Sequence, residues 1–129
     1  MSENGFLKSR IKAILIALDG IKYVYMSQKN TKIHAGFSVG VFILAWLLKI
    51  NRIEWISLLL VVGLVWIAEL LNTAIEVMID IVSPEQNQMA KIAKDVSAGG
   101  VLIAAFISIL IGILIFGPRL WLLAIGIVE

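Results

Sequence analysis

From Trp55 to Val82 the chain runs without a proline, and its first half, to Ala68, carries no charge. As one helix this segment extends roughly 40 Å, more than the ~30 Å hydrocarbon core of a bilayer requires. Its second half keeps the apolar residues Leu70, Leu71, Ile75, Val77, Met78 and Ile79 but adds Glu69, Asn72, Thr73, Glu76 and Asp80. Those five are spaced by three, one, three and four residues, so at ~100° per residue they fall within a stripe roughly 100° wide. An ionised side chain at mid-bilayer costs at least about 2.5–3.5 kcal/mol, so such a stripe faces protein or water and marks function more often than not.

The rest of the chain agrees with a membrane setting. Of its 129 residues 60% are hydrophobic, and the mean hydropathy is +0.99. A soluble domain of this size buries only about 60–70% of its chain and cannot hide that much apolar surface. The predicted class is an all-α membrane protein, one domain over 1–129, with a surface helix and three spans. Residues 6–28 place Ile11, Ile14, Leu15, Leu18, Ile21 and Tyr25 on one face and Lys8, Arg10, Lys12, Asp19 and Lys22 elsewhere. That pattern suits a helix lying in the membrane interface. The apolar run inside it is stopped by Asp19 and lacks a small-residue cleavage site, so it reads as mature sequence. Spans are expected at about 33–50, 55–82 and 91–117, the first being the shortest and weakest. Lys49, Asn51, Arg52 and Glu54 mark a tight polar turn flanked by Trp46 and Trp55, which suit interfacial anchors. Ser83-Pro84 and the polar residues to Gln88 mark a loop, and Gly117-Pro118 is expected to end the last helix.

Eight of the eleven lysines and arginines (8, 10, 12, 22, 29, 32, 91 and 94) fall on one side of this topology, and 49, 52 and 119 on the other. That bias puts the N-terminus and the 83–95 loop in the cytoplasm. Cysteine is absent and the net charge is +2. Thiolate metal sites and cysteine nucleophiles are excluded, and nothing argues for nucleic acid.

Carboxylates on a membrane-edge stripe can bind a divalent cation, accept a proton, or both. Lys91, Lys94 and Asp95 begin the last helix nearby, and a lysine there can hold a phosphate as a point charge. The small residues Ser97-Ala98-Gly99-Gly100 favour close helix approach. Together these describe phosphoryl transfer to a lipid hydroxyl, a reaction run mainly by positioning and charge neutralisation. A helix-packing stripe satisfied by Lys91 and Lys94, or a proton or ion pathway, fits the same pattern. No Walker loop or protein-kinase motif is present. His34, the sole histidine, has no partner evident in the sequence.

At these positions the chain resembles the prokaryotic diacylglycerol kinase family. Glu69-Leu70-Leu71-Asn72-Thr73-Ala74-Ile75-Glu76, followed by Asp80, is similar to the family's E-x-x-N-[ST]-A-I-E-x-x-x-D block, and Ala93-Lys94-Asp95 through Val101 to its A-K-D-x-[AS]-[AG]-[AG]-V block. The resemblance implies a homotrimer with active sites shared between subunits, using ATP and Mg2+ at the bacterial cytoplasmic membrane. It implies Glu69 as general base on the lipid alcohol and Glu76 as metal ligand. Asn72 and Asp80 would shape the site, Lys94 and Asp95 would engage the nucleotide, and Arg10 would reach the ATP. Glu54-Trp55, His34 and Ile115-Phe116-Gly117-Pro118-Arg119-Leu120 are similar to the family's undecaprenol kinase branch, against its diacylglycerol kinase branch. One position departs: a family metal-binding glutamate, in a Glu-Arg-Asn sequence, is Gln28 in Gln28-Lys29-Asn30. Glutamine keeps an oxygen donor without the charge. It implies either a tolerated variant ligand or a shell that has lost activity.

Overall fold

A computed structural model describes residues 3–85 and 87–126. It is all-helical, with α1 at Glu3–Ser27, α2 at Lys29–Leu47, α3 at Arg52–Val82 and α4 at Gln88–Ala124. The antiparallel α3–α4 hairpin dominates the packing, and α2 and the end of α1 lean on α3. Two of these helices, α3 and α4, are long and apolar enough to cross a membrane. Their outward residues are bare: Leu60 is 68% exposed, and Leu102 and Leu114 are each 71% exposed. Apolar area on that scale is foreign to a water-facing surface and suits lipid. In α2 the first turn carries Lys29, Asn30 and Lys32, so its 19 residues supply a shorter apolar stretch than the other two.

One residue, Gln28, separates α1 from α2, with φ −105° and ψ 125°. This single extended residue turns the chain. Along α1 the apolar side chains Ile11, Ile14, Leu15 and Leu18 are all exposed, and among the residues whose burial is described only Val24, near the break, is buried.

The α2–α3 turn is built tightly. Lys49 adopts φ +49°, its N–H donates to the Trp46 carbonyl (3.2 Å), and the Ile50 N–H donates to the Ala45 carbonyl (3.2 Å). That pairing is a Schellman motif with a lysine in the position glycine usually takes. Its apolar contact is also present, since Ala45 and Ile50 are both buried in one cluster with Leu58, Ile115 and Phe116. Phe42 stacks on Trp55, ring centroids 6.2 Å apart, so Trp55 packs inward while Trp46 stays 73% exposed. Asn51 caps α3 in a reciprocal box with Glu54, and Glu54 also takes both guanidinium nitrogens of Arg119 at 2.7 Å.

The expected stop at Gly117-Pro118 is overturned, for α4 continues through Pro118 to Ala124. Proline removes one intrahelical bond and crowds the carbonyl four residues back. Here the flanks hold the helix in place. Ile115 and Phe116 are buried, and Arg119 is clasped to Glu54 while donating to the Ile115 carbonyl (3.0 Å). Uncoiling in an apolar setting would strand further backbone groups, which costs more than one missing bond. The hydrophobic tail therefore prolongs α4 at least to Ala124; residues 127–129 lie outside the described part. In the small-residue run Ser97 reaches α3, whereas a Cβ on Gly99 or Gly100 would meet nothing within 4 Å.

Candidate active site

Polar residues collect at the end of the bundle opposite the α2–α3 turn. The α3 stripe forms as its spacing predicts: Glu69, Asn72 and Thr73 are buried, Glu76 is half-buried, and Asp80 is exposed toward the loop. Its floor is Glu69, 3% exposed. Thr31 Oγ1 donates to Glu69 Oε2 (3.3 Å), and Thr73 Oγ1 bonds back to the Glu69 carbonyl (2.9 Å), which turns that hydroxyl away from the carboxylate. The other oxygen, Oε1, has no hydrogen-bond partner among the described residues. It lies 3.2 Å from His34 Nε2, close enough to pair but off the hydrogen-bond direction. The expectation that the lone imidazole lacks a partner is thus overturned: α2 carries His34 onto the most buried carboxylate.

One turn further out, neutral donors hold Glu76. Gln28 Nε2 donates to Oε2 (2.7 Å) and Asn72 Nδ2 to Oε1 (2.9 Å). Asn72 is oriented in turn by Ser97, whose Oγ is 2.7 Å from Asn72 Oδ1 and 2.9 Å from the Lys94 carbonyl, its single proton serving one of the two. Gln28 is formally the residue that caps α2, yet its side chain makes no cap; it reaches across to α3 instead. The donor set is all hard oxygen once the amides turn their carbonyls inward. No group of three or more acidic, histidine or cysteine side chains gathers among the described residues. One carboxylate with amide oxygens fits a Mg2+ that draws its remaining ligands from phosphate and water.

The outer rim is Lys94 paired with Asp80, so the sequence expectation of a basic residue facing the stripe is met. Lys91 and Asp95 are exposed. Arg10 is not brought to this cluster: it lies ~27 Å up α1 from Gln28, its guanidinium 4.9 Å from the Phe6 ring centroid.

Three contributors escaped the sequence reading as functional residues: Thr31, His34 and Ser97. A signal for two of them exists. Gln28, Thr31, His34 and Ser38 are spaced by three, three and four, the same helical stripe as on α3 but with no carboxylate to draw attention to it. Ser38 helps lock the register, accepting from Trp66 Nε1 (3.3 Å) and donating to the His34 carbonyl (2.7 Å).

Below His34 a cleft of about 250 Å³ runs between α2, α3 and α4 toward Phe116. Its walls are Ile33, Phe37, Val41, Leu58, Val61, Val62, Val65 and Ile109, with Ser38 and Ser108 the polar exceptions besides His34. A buried carboxylate beside an apolar slot suits an alcohol carried on a hydrocarbon chain.

Comparison with known proteins agrees. The sequence profile of prokaryotic diacylglycerol kinase matches residues 15–116. The chain is 38% identical over 109 residues to the undecaprenol kinase of Bacillus subtilis (strain 168), covering 84% of this chain and 89% of that one. It is 42% identical over 94 residues to a diacylglycerol kinase of Synechocystis sp., 72% of this chain but 54% of that protein. Against the diacylglycerol kinase of Escherichia coli (strain K12) it is 30% identical over 102 residues, 78% of this chain and 82% of the other. A kinase requires a phosphate donor, and a basic rim beside the carboxylates suits one. The chain belongs to the prokaryotic diacylglycerol kinase family and is a lipid kinase.

Proposed function

We propose that this chain phosphorylates undecaprenol, using ATP with Mg2+, at the cytoplasmic face of the bacterial cytoplasmic membrane. The observation that carries the reading is the buried Glu69 against His34, which lines the apolar cleft, in a chain similar to an undecaprenol kinase over most of both lengths. The whole chain, 1–129, is one membrane-embedded domain. It has α1 on the surface, three spans in α2, α3 and α4, and its N-terminus in the cytoplasm. Lys29, Lys32, Lys91 and Lys94 lie on the site's side of the topology and Lys49, Arg52 and Arg119 on the other, which favours that orientation. Arg10, remote from its own cluster, engages the nucleotide of a neighbour in a homotrimer with shared sites.

Within the site Glu69 accepts the proton of the lipid hydroxyl, with Thr31 fixing one carboxylate oxygen. Glu76 and the Gln28 carbonyl are the residues that would hold Mg2+, which when bound supplies charge neutralisation to the phosphates. Asn72, steadied by Ser97, orients Glu76. Lys94 and Asp95 face the nucleotide, with Asp80 paired to Lys94. Such a site lowers the barrier chiefly by positioning and by meeting the charge of the transferring group.

A side-by-side assay of the purified chain in lipid, with undecaprenol and with diacylglycerol, tests this. Undecaprenol is expected to be turned over faster, and Glu69→Gln is expected to reduce transfer by about 10²–10⁴-fold. Preference for diacylglycerol would reassign the substrate to that of the other relatives. No turnover of either lipid by folded protein would sink the proposal.

A further inference from the structure

A general base that takes one proton per turnover has to lose it before the next. Glu69 is badly placed to do this directly: its side chain is 4% exposed. Thr31 is no exit, being fully buried at 0% exposure and a hydroxyl that is not basic. Of the groups touching the carboxylate among the described residues, only His34 has a basic ring nitrogen and reaches out, its side chain 25% exposed. It sits on the second turn of α2, beside the exposed Lys29 and Lys32 at the helix's polar end. It faces Oε1, the oxygen left without a hydrogen bond.

We propose that His34 is the proton exit of this kinase, relaying to solvent the proton that Glu69 takes from the lipid hydroxyl. The inference rests on the reading of Glu69 as the base. In the transfer the lipid O–H bond breaks as its oxygen bonds to the γ-phosphorus of ATP, and the bond to the leaving oxygen breaks, its electron pair departing on the nucleoside diphosphate. The proton is then on Glu69. From Oε1 it passes to His34 Nε2: the carboxyl O–H bond breaks, an N–H bond forms, and carboxylate and imidazolium result. The imidazolium gives the proton to water and the pair returns to its starting state. Nothing is oxidised or reduced, and the overall balance is one proton released per phosphoryl group moved.

The surroundings leave His34 free for this role. Besides Glu69, the charged or titratable groups toward the site's end of the elements packed about it are Lys22, Tyr23 and Tyr25 on α1, Lys29 and Lys32 on α2, Glu76 and Asp80 on α3, and Lys91, Lys94 and Asp95 on α4. None of them is hydrogen-bonded to or ion-paired with the imidazole among the described residues; Glu69 alone is. The backbone beneath it is pinned by Ser38 and Trp66, so the 3.2 Å approach is held by α2 and α3 together.

The test uses the full chain in lipid and exploits the fact that His34 is the only histidine. His34→Ala is expected to lower kcat about tenfold or more while KM for lipid and for ATP stays within about twofold, because the group acts after binding. Added imidazole is expected to restore the rate, with a pH profile that follows the free imidazole. A non-basic azole of similar size is expected to restore nothing. Independently of turnover, the single ¹⁵N-labelled histidine is titrated in wild type and in Glu69→Gln, and its midpoint is expected to move. A wild-type rate in His34→Ala, a loss that imidazole does not repair, or a histidine titration indifferent to Glu69 would each overturn the relay. Full activity of Glu69→Gln marks the separate failure of the base assignment.

Discussion

Glu54 and Glu69 lie on the same helix at opposite ends of the bundle, and their environments differ in kind. Glu54 is finished: both oxygens are taken by the Arg119 guanidinium at 2.7 Å, and Oε2 also accepts the Asn51 N–H (2.8 Å). Below it Ile50, Leu58, Ile115 and Phe116 close a small apolar knot. Glu69 is more deeply buried yet has one long hydrogen bond and an imidazole alongside. Its neighbour Glu76 is held by two amides and no cation. A bidentate guanidinium satisfies a carboxylate and fixes its geometry, leaving it nothing further to do. Neutral donors hold a carboxylate in place but leave its charge unanswered, so it still attracts a proton or a metal. One end of α3 spends its acid on architecture, the other keeps its acids available.

Damage at the knot is expected to move stability, and damage at the site to move chemistry. Ile115→Ala gives the largest expected stability effect, about 3 kcal/mol from lost contacts and a cavity. Reversible unfolding in detergent reads that loss, while the kcat of the protein that remains folded is expected to stay close to wild type. A collapse of kcat at full folding would show that the two ends are not separable. Next is Gln28→Glu, which sets a second carboxylate against Glu76 where an amide now donates at 2.7 Å. Two carboxylates in contact repel until a cation sits between them. The half-saturating Mg2+ concentration is therefore expected to fall about tenfold, roughly 1.4 kcal/mol, with a rise in rate and little change in unfolding. An unchanged Mg2+ dependence would remove position 28 from the metal site. The smallest effect is Lys49→Gly at the turn. Relief of a left-handed lysine is expected to add up to about 1 kcal/mol of stability and to leave turnover untouched.

Much of the inner end was legible in the sequence because carboxylates inside an apolar run stand out against their surroundings. Glu69, Asn72, Thr73, Glu76 and Asp80 share a face as their spacing requires, and Lys94 meets Asp80. What stayed hidden is the opposing wall. Thr31 and His34 carry weak individual signals, and only the angle between α2 and α3 decides that they meet Glu69 and not lipid. At the opposite end the polar turn at 49–54 forms as expected, and what was misread is the helix stop, where local chemistry lost to tertiary contacts. Pro118 is a helix breaker by every local rule, but burial of Phe116 and the reach of Arg119 to Glu54, distant in sequence, carry the helix past it. Lys49 likewise occupies a turn position that no sequence rule assigns to lysine; the burial of Ile50 behind it fixes the conformation.

The junction at Gln28 has a mechanical consequence. A single residue links the two N-terminal helices, so its two backbone torsions alone set the angle between α1 and α2. The side chain of that same residue is fastened across the bundle to Glu76. Whatever draws Glu76 toward another partner competes with this fastening, and whatever swings α1 pulls on it. The angle of α1 to the bundle and the occupancy of the carboxylate are therefore two pointers on one shaft.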